Sequence, residues 1–418
     1  MPPSERVMPS IPIENTAMLR VTDAIARLEA AARPVVEIEN VSLLEANGRI
    51  CARDIKATLD IPPFANSAMD GYAFASEDFS AANVSSAPVS QRVQAGAIPR
   101  PHTPGTAARL FTGAPLPPGC DTVLAQEEIT IDGEGKICFT GPLQPGRFVR
   151  RCGEDVRRGD IVIAAGQRLR SQHVGLAAAV GITHLPVWRR LRVAVFATGN
   201  ELVEPGQPLT PEKIYNANSV SVAAFLDQLG CATTQLGIIP DNLNATIDCL
   251  NAAAAQHDII ISTGGASVGE EDHIKRALQT LGTLAFWRVA IKPGKPFAFG
   301  HIKSTAFIGL PGNPVSTLVT LWILVRSYLR RSQGETPVAQ VLERRVLSAF
   351  ERHNDSVRAE YVRAQVHAHN RDWVATLHSN QSSGVLTSLT WAHGLVCIEP
   401  HTHISRGDFV DFLSFDCL

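Results

Sequence analysis

The sequence contains no CxxC pair. Its eight cysteines (Cys51, Cys120, Cys138, Cys152, Cys231, Cys249, Cys397 and Cys417) are scattered, so neither a zinc ribbon nor a thioredoxin-type motif is present. Reduced, mostly structural thiols are expected. The chain also lacks an excess of either charge: 38 basic residues face 40 acidic ones, a formal net charge of −2. That argues against a nucleic-acid partner, which calls for a basic surplus. Any anion site must therefore be built locally. The longest apolar run near the end, Leu318–Val325, stops at Arg326 and is far too short to cross a bilayer. Met1–Thr16 has no apolar core of the secretory kind, so a soluble, cytoplasmic protein is expected. Neither a GxxxxGK[ST] loop nor a GxGxxG fingerprint occurs, and there is no internal repeat.

What is there is globular composition, 45% hydrophobic and 19% charged over 418 residues, enough chain for several domains. Residues 1–17 read as a loose leader. Apolar positions Val21, Ala24, Ile25 and Leu28 recur at helical spacing, with Thr22 or Asp23 as candidate caps. Residues 62–145, rich in Pro, Gly, Ser and Thr with short alternating runs, predict a small β domain. It is inserted in an N-terminal helix/strand domain made of 18–61 and 146–188. In 189–333, apolar runs Val193–Ala197, Thr234–Ile239, Ile259–Ser262, Phe286–Ile291 and Ala306–Leu310 alternate with helical patterns at Val220–Leu229 and Ala245–Ala255. This alternation predicts a doubly wound, mostly parallel sheet. Residues 334–418 carry short alternating strands, which predict a C-terminal β barrel. The expected fold class is thus α/β plus β.

In a parallel sheet the loops after the strands share the carboxyl edge, where open α/β sheets bind ligands. Here those loops are Thr198-Gly199-Asn200-Glu201, Pro240-Asp241-Asn242, Ser262–Asp272, Lys292–Pro296 and Pro311–Ser316. Gly264, Gly265 and Ser267 offer an anion nest of backbone N–H groups. Pro311, Gly312 and Asn313 lead into a helix whose first residue is Pro314, so amides there are expected to be free for phosphate. Lys292 and Lys295 supply compact positive charge. Glu201, Asp241 and Asp272 supply hard oxygens suited to Mg²⁺ shared with a phosphorylated substrate. Each has a plainer alternative: a tight turn for Gly264 and Gly265, a helix cap for Asp272, turn chemistry for Asp241, and solvated charge for the lysines. Together they favour phosphate-ester or pyrophosphate chemistry.

Outside this domain, Asp70 lies in Asn66–Ala73 and Thr112 in Thr112–Pro115, both of which read as turns. Arginines 147, 150, 151, 157 and 158 surround Gly153-Glu154-Asp155 as a charged face. His367/His369 and His401/His403 are HxH pairs that would share a strand face, with no further metal ligand near them in sequence.

These stretches together resemble the molybdopterin molybdenumtransferase family, typified by bacterial MoeA and the gephyrin E domain. The matching segments are NSAMDGYA (66–73), TGAP (112–115), RCGED (151–155), TGNEL (198–202), STGGASVGEED (262–272), KPGKPFAFG (292–300), GLPGNPVS (309–316) and QSSG (381–384). The resemblance covers the chain from about residue 18 onward. It implies a MogA-like central domain and an elongated homodimer with sites shared between protomers. It also implies an enzyme that joins molybdate to adenylylated molybdopterin with the help of Mg²⁺ and releases AMP. By the resemblance, Asp70, Glu201, Asp241, Asp272, Lys292 and Lys295 line the cleft, with Thr112 and Asp155 at further cleft positions. The sequence departs from the family at Asn200, where Asp is usual, and at Ala392-His393-Gly394. A binding scaffold without turnover is the contrasting class; the sequence lacks the long linker and fused MogA-like domain such a scaffold carries. An adenylyltransferase would leave the outer domains unexplained.

Overall fold

Strands buried on both faces need apolar side chains pointing both ways, and the central sheet shows how this sequence supplies them. The protein is described here by a computed structural model covering residues 18–35, 37–80, 84–265, 273–336, 343–370 and 372–415. The expected leader, and the candidate residues Ser267 and Asp272, lie outside the described residues. The chain forms two units, one of residues 40–47 and 51–187, the other holding the remainder.

In the larger unit the elements run β1 (Arg192–Thr198), α1 (Ala217–Gln228), β2 (Ala232–Ile239), α2 (Leu243–Ala254), β3 (Ile259–Thr263), α3 (His273–Leu281), β4 (Gly282–Arg288), β5 (Ile291–Lys292), β6 (Pro296–Ile302), β7 (Thr305–Leu310) and α4 (Pro314–Thr320). Six strands form one sheet in the order β2-β1-β3-β7-β6-β4. The pairs β2–β1, β1–β3 and β3–β7 are parallel. Because β6 is antiparallel to both β7 and β4, only β6 is reversed. Val193 and Val195 face one side with Val222, Phe225 and Val319. Ala194 and Phe196 face the other, with Leu250, Ala253, Ile274 and Leu278. This is the doubly wound, mostly parallel sheet expected from the apolar runs.

Two expectations need correction. Phe286–Ile291 is not one strand: β4 ends at Arg288, and β5 leaves the sheet to pair in parallel with Ala359–Glu360 of the C-terminal domain. A contiguous apolar run cannot show that its end is buried in a different sheet. The first helix, Val21–Ala31, has Arg20 as its N-cap residue with no side-chain cap bond, while Asp23 pairs with Arg20 at 2.8 Å instead. Its stripe does not stay with the N-terminal segments either. Ala24 and Leu28 join the cluster of Leu321, Leu324 and Tyr328 in the larger unit, and burying a leucine of this kind contributes about 2 kcal/mol.

The C-terminal strands close into a barrel. Ala359–His369 pairs with Asp372–Leu377, then Glu343–Ser348, Phe409–Ser414 and Gly394–Ile398 follow, and the last returns to Ala359–His369. Val346, Val362, Val396 and Phe412 fill it. A two-stranded ribbon, Arg352–Asn354 against Thr402–Ile404, extends the barrel's connections.

In the smaller unit, Ala46, Cys51 and Ile55 share one core with Ile163, Leu169, Ala177 and Leu185. The segments on either side of the intervening β region therefore pack together, as an insertion requires. That region has its own aromatic core around Phe74, Phe79 and Phe139, and a four-stranded sheet in which Gly71–Phe74 lies between Ala107–Leu110 and Thr122–Ala125. Among the described residues no helix is long and apolar enough to cross a membrane.

Candidate active site

The connection from β1 leads to β2 on one side, whereas β3 leads away to β4 at the opposite edge of the sheet. Their carboxyl ends flank the topological switch point, the place where open α/β sheets bind ligands. The glycines there have separable tasks. Gly264 has φ +87°, and a Cβ on it would lie 2.7 Å from the Thr198 carbonyl oxygen. Gly265 has φ +67°, and its Cβ would meet Ile274 Cδ1 at 2.4 Å. Both satisfy the tight-turn alternative, since each needs a left-handed conformation and close backbone approach. Gly312 is different: no positive φ holds it, and the nearest atom to its Cβ position is Gly264 Cα at 3.9 Å. The loops after β1, β3 and β7 thus meet at one spot, and among the described residues a Cβ at Gly312 would make only an ordinary contact with the Gly264 backbone. Further bonds fix the Pro311–Asn313 turn: Asn218 Nδ2 donates to the Gly312 carbonyl at 2.6 Å, and Thr317 Oγ1 donates to the Pro311 carbonyl at 2.6 Å.

The next helix begins as expected, with Asn313 as N-cap and Pro314 at its start, but Asn313 makes no side-chain cap bond. One amide expected to be free, Val315 N–H, is taken by the Ser383 carbonyl at 3.1 Å. The QSSG segment therefore reaches this turn by its backbone, a contact that spacing in sequence cannot reveal.

Glu201 and Asp241 are exposed at the ends of the adjacent strands β1 and β2. Gly199, at φ +151°, lets the Glu201 carboxylate fold back: a Cβ there would sit 2.6 Å from Glu201 Oε2. The backbone oxygen of Asn200 accepts a bond from Lys213 Nζ. Capping of α2 falls to Asn242, whose Oδ1 accepts from Ala245 N–H at 2.9 Å, which leaves Asp241 without a hydrogen bond among the described residues. Two exposed carboxylates on neighbouring loops are the kind of donors Mg²⁺ shares with substrate phosphates. Among the described residues no third carboxylate or imidazole joins them as a protein cage.

The lysines part company. Lys292 Nζ pairs with Glu360 Oε1 at 2.9 Å, and Glu360 also receives Arg352 through two bonds of 2.7 and 2.8 Å. Burial opposes ionisation of Glu360, but the bonds from Arg352 and then Lys292 outweigh it and hold its carboxyl below the usual range. Lys295 is exposed and has no ion pair among the described residues. Gly294 between them has φ +115°, with Thr320 Cγ2 2.3 Å from its Cβ position, so the loop lies hard against α4.

In the smaller unit two turns named separately in the sequence are one constellation. Asp70 Oδ1 accepts from Thr112 N–H at 2.7 Å and from Thr112 Oγ1 at 2.8 Å. The backbone amide first, and the hydroxyl second, lower the Asp70 carboxyl below its ordinary value. Gly71 follows because any Cβ there would strike the Leu124 carbonyl at 2.0 Å. Asp155 is exposed, its backbone N–H bonded to the Ile61 carbonyl at 3.0 Å. Arg147 pairs with Glu128.

Sequence reasoning missed three residues. Asn218 and Glu360 position the Gly312 and Lys292 loops. Arg363, 1% exposed, is held by Ser388 Oγ at 3.0 Å and the Ser382 carbonyl at 3.2 Å, and burial drives its pKa down to about 10. The available signals were Asn216-Ala217-Asn218-Ser219, which reads as a helix start, and charges inside the apolar run 359–368.

Comparison with known proteins follows this layout. Residues 19–181 match the MoeA N-terminal region (domain I and II), 194–331 a probable molybdopterin binding domain, and 345–415 the MoeA C-terminal region (domain IV). A molybdopterin molybdenumtransferase of Haemophilus influenzae is 42% identical over 300 residues, 72% of this chain and 74% of that protein. Its counterpart in a Nostoc species is 36% identical over 89% of this chain and 87% of its own. The crystal structure of a molybdopterin biosynthesis MoeA protein from Pyrococcus horikoshii superposes with a TM-score of 0.82 at 28% identity, covering 96% of this chain and all of that one.

Proposed function

The chain belongs to the MoeA family of molybdopterin molybdenumtransferases, enzymes of molybdenum-cofactor biosynthesis, and from that premise we propose the reaction it performs. It takes adenylylated molybdopterin and molybdate as substrates, inserts molybdenum at the dithiolene, and releases AMP. The observation that carries this reading is the meeting of the β1, β3 and β7 loops at the switch point, where glycines 264 and 312 approach backbone to backbone, Gly264 Cα lying 3.9 Å from the Gly312 Cβ position. A phosphate-bearing pterin can approach backbone there as no side chain allows.

The roles follow from chemistry. Backbone amides at Gly265 and Gly312 hold phosphate oxygens, the Gly264 N–H being taken by the Leu310 carbonyl at 3.2 Å, and Ser267 and Asn313 add polar contacts. Exposed Lys295 offsets the charge of the phosphoanhydride and of the oxyanion. Lys292 is oriented by Glu360 and presents a fixed charge rather than a mobile one. Glu201 and Asp241, with Asp272, would hold Mg²⁺; when bound, the ion would neutralise the phosphates during anhydride cleavage. Asp70, fixed by Thr112, presents its second carboxylate oxygen as an acceptor. We place Asp70 and Thr112 at the cleft of a second copy of the chain, since the β region is too small to enclose a substrate alone, and Asp155 at a further cleft position. The products are the molybdenum cofactor and AMP, formed by positioning and charge neutralisation.

The test is to incubate purified protein with adenylylated molybdopterin, molybdate and Mg²⁺. AMP and active cofactor should appear together. Tight pterin binding without AMP release would make the chain a binding module instead. For the shared site, mixing Asp70→Ala and Asp272→Ala chains should restore part of the activity, and a fully active monomer in sedimentation would refute it.

A further inference from the structure

The HxH pair at His401/His403 found no partner in the sequence, and the fold gives one half of it a different set. His353 and His403 are direct partners across the antiparallel ribbon. Their imidazoles stack with centroids 3.7 Å apart and planes 12° from parallel. Glu351, just before the first strand, brings Oε1 to 3.2 Å from His403 Nε2 and 4.0 Å from His353 Nε2. All three ligand atoms lie within 4.8 Å of one another. Ligands around a metal with bonds of about 2.1 Å stand roughly 3–3.5 Å apart, so the two exposed rings must turn out of their parallel stack for both Nε2 lone pairs to converge on an ion with the carboxylate. His401, by contrast, sits in the turn at φ +55°. The chain there is not extended, and the two-residue spacing no longer puts 401 and 403 on one face.

The ribbon that carries these groups is held rigidly. Buried Asn354 donates through Nδ2 to the carbonyls of Arg358, Ile398 and Glu399 at 2.9–3.0 Å, and Thr402 Oγ1 donates to Glu399 O at 2.7 Å. Ligands on such a framework lose little freedom when an ion binds.

We propose that Glu351, His353 and His403 form a binding site for a divalent transition-metal ion of the Zn²⁺, Ni²⁺ or Cu²⁺ class on the C-terminal domain. Two imidazole nitrogens with one carboxylate favour these ions over Mg²⁺ and Ca²⁺, which take oxygen alone. Three protein ligands leave a coordination position open, so the ion is exchangeable, unlike a closed structural site. Its effect is to clip the side chains of 351 and 353 to that of 403 on the already rigid ribbon. None of its three ligands is a residue assigned to the cleft, although Arg352 between two of them pairs with Glu360, the partner of Lys292.

The experiment uses the full-length protein, stripped with chelator, in equilibrium dialysis against Zn²⁺, with Cu²⁺ electron paramagnetic resonance as the ligand signature. One equivalent per chain and a spectrum with two nitrogen ligands are expected. His353→Gln, His403→Gln and Glu351→Gln should each weaken binding about tenfold or more, because ligand loss costs at least what loss of an outer partner does. His401→Gln should leave it unchanged. Metal-free melting of the four variants should match the wild type, since all four side chains are exposed. Absence of saturable binding overturns the proposal. So does binding that survives both His353→Gln and His403→Gln, which would assign the ion to cysteines or another site, and so does equal loss in His401→Gln.

Discussion

Gly264→Ala and Gly312→Ala form a pair that separates folding from binding at the crevice. At Gly264 the backbone has φ +87°, and the new methyl would lie 2.7 Å from the Thr198 carbonyl oxygen. An alanine in the left-handed region costs about 1–2 kcal/mol. The clash cannot relax cheaply, because Thr198 is buried and paired in register with Ile239 at the end of β1, and forced overpacking costs about 1–3 kcal/mol more. The sum, roughly 2–5 kcal/mol, corresponds to a fall of roughly 5–15 °C in the melting transition of the larger unit. At Gly312 the closest atom among the described residues is 3.9 Å away and no positive φ is needed, so alanine should leave the melting temperature unchanged or slightly raised. The same methyl would occupy the space assigned to the substrate, and AMP release should drop about tenfold or more, a loss of about 1.4 kcal/mol or more of transition-state contact. Scanning calorimetry and an AMP-release assay on both variants are sufficient. A Gly264→Ala protein with wild-type melting would refute the packing argument. Gly312→Ala with full activity would refute the placement of substrate at that turn.

Thr112→Val removes the hydroxyl bond but keeps the amide bond to Asp70, so the Asp70 carboxyl should titrate closer to its ordinary value, seen by carboxyl NMR, and activity should fall less than in Asp70→Asn. Glu360→Gln unpairs Arg352 and Lys292 together; because both cations are partly exposed, the loss should be about 1–3 kcal/mol rather than that of a fully buried pair. The sign of its pH dependence follows from a depressed carboxyl: the stabilisation is present at neutral pH and disappears as pH falls through the lowered folded-state value, so wild-type and Glu360→Gln melting curves should converge only in strong acid. Asn200→Asp should change AMP release only modestly, since the contact at position 200 seen here is a backbone carbonyl accepting from Lys213; a large gain in turnover would show that the missing carboxylate matters.

Local pattern carried a good deal of this protein. Apolar runs separated by helical periodicity specify strands buried on both faces, and 193–197, 234–239, 259–262 and 306–310 all lie within observed strands. Glycine and proline punctuation marked the loops that line the carboxyl edge, because backbone geometry is written in those residue types. Partners distant along the chain were not readable in this way. Asp70 and Thr112 are 42 residues apart, and each alone is a turn residue; only the register of Gly71–Phe74 against Ala107–Leu110 joins them. Lys292 looked like a free cation, yet its partner Glu360 lies in another sheet, reached because two residues after β4 pair with the barrel. His353 and His403 became a pair through ribbon register, while the adjacent His401 was lost to a turn. A side chain's periodicity is set by its neighbours in sequence, and its partner by strand order and register, which the whole chain settles as it packs.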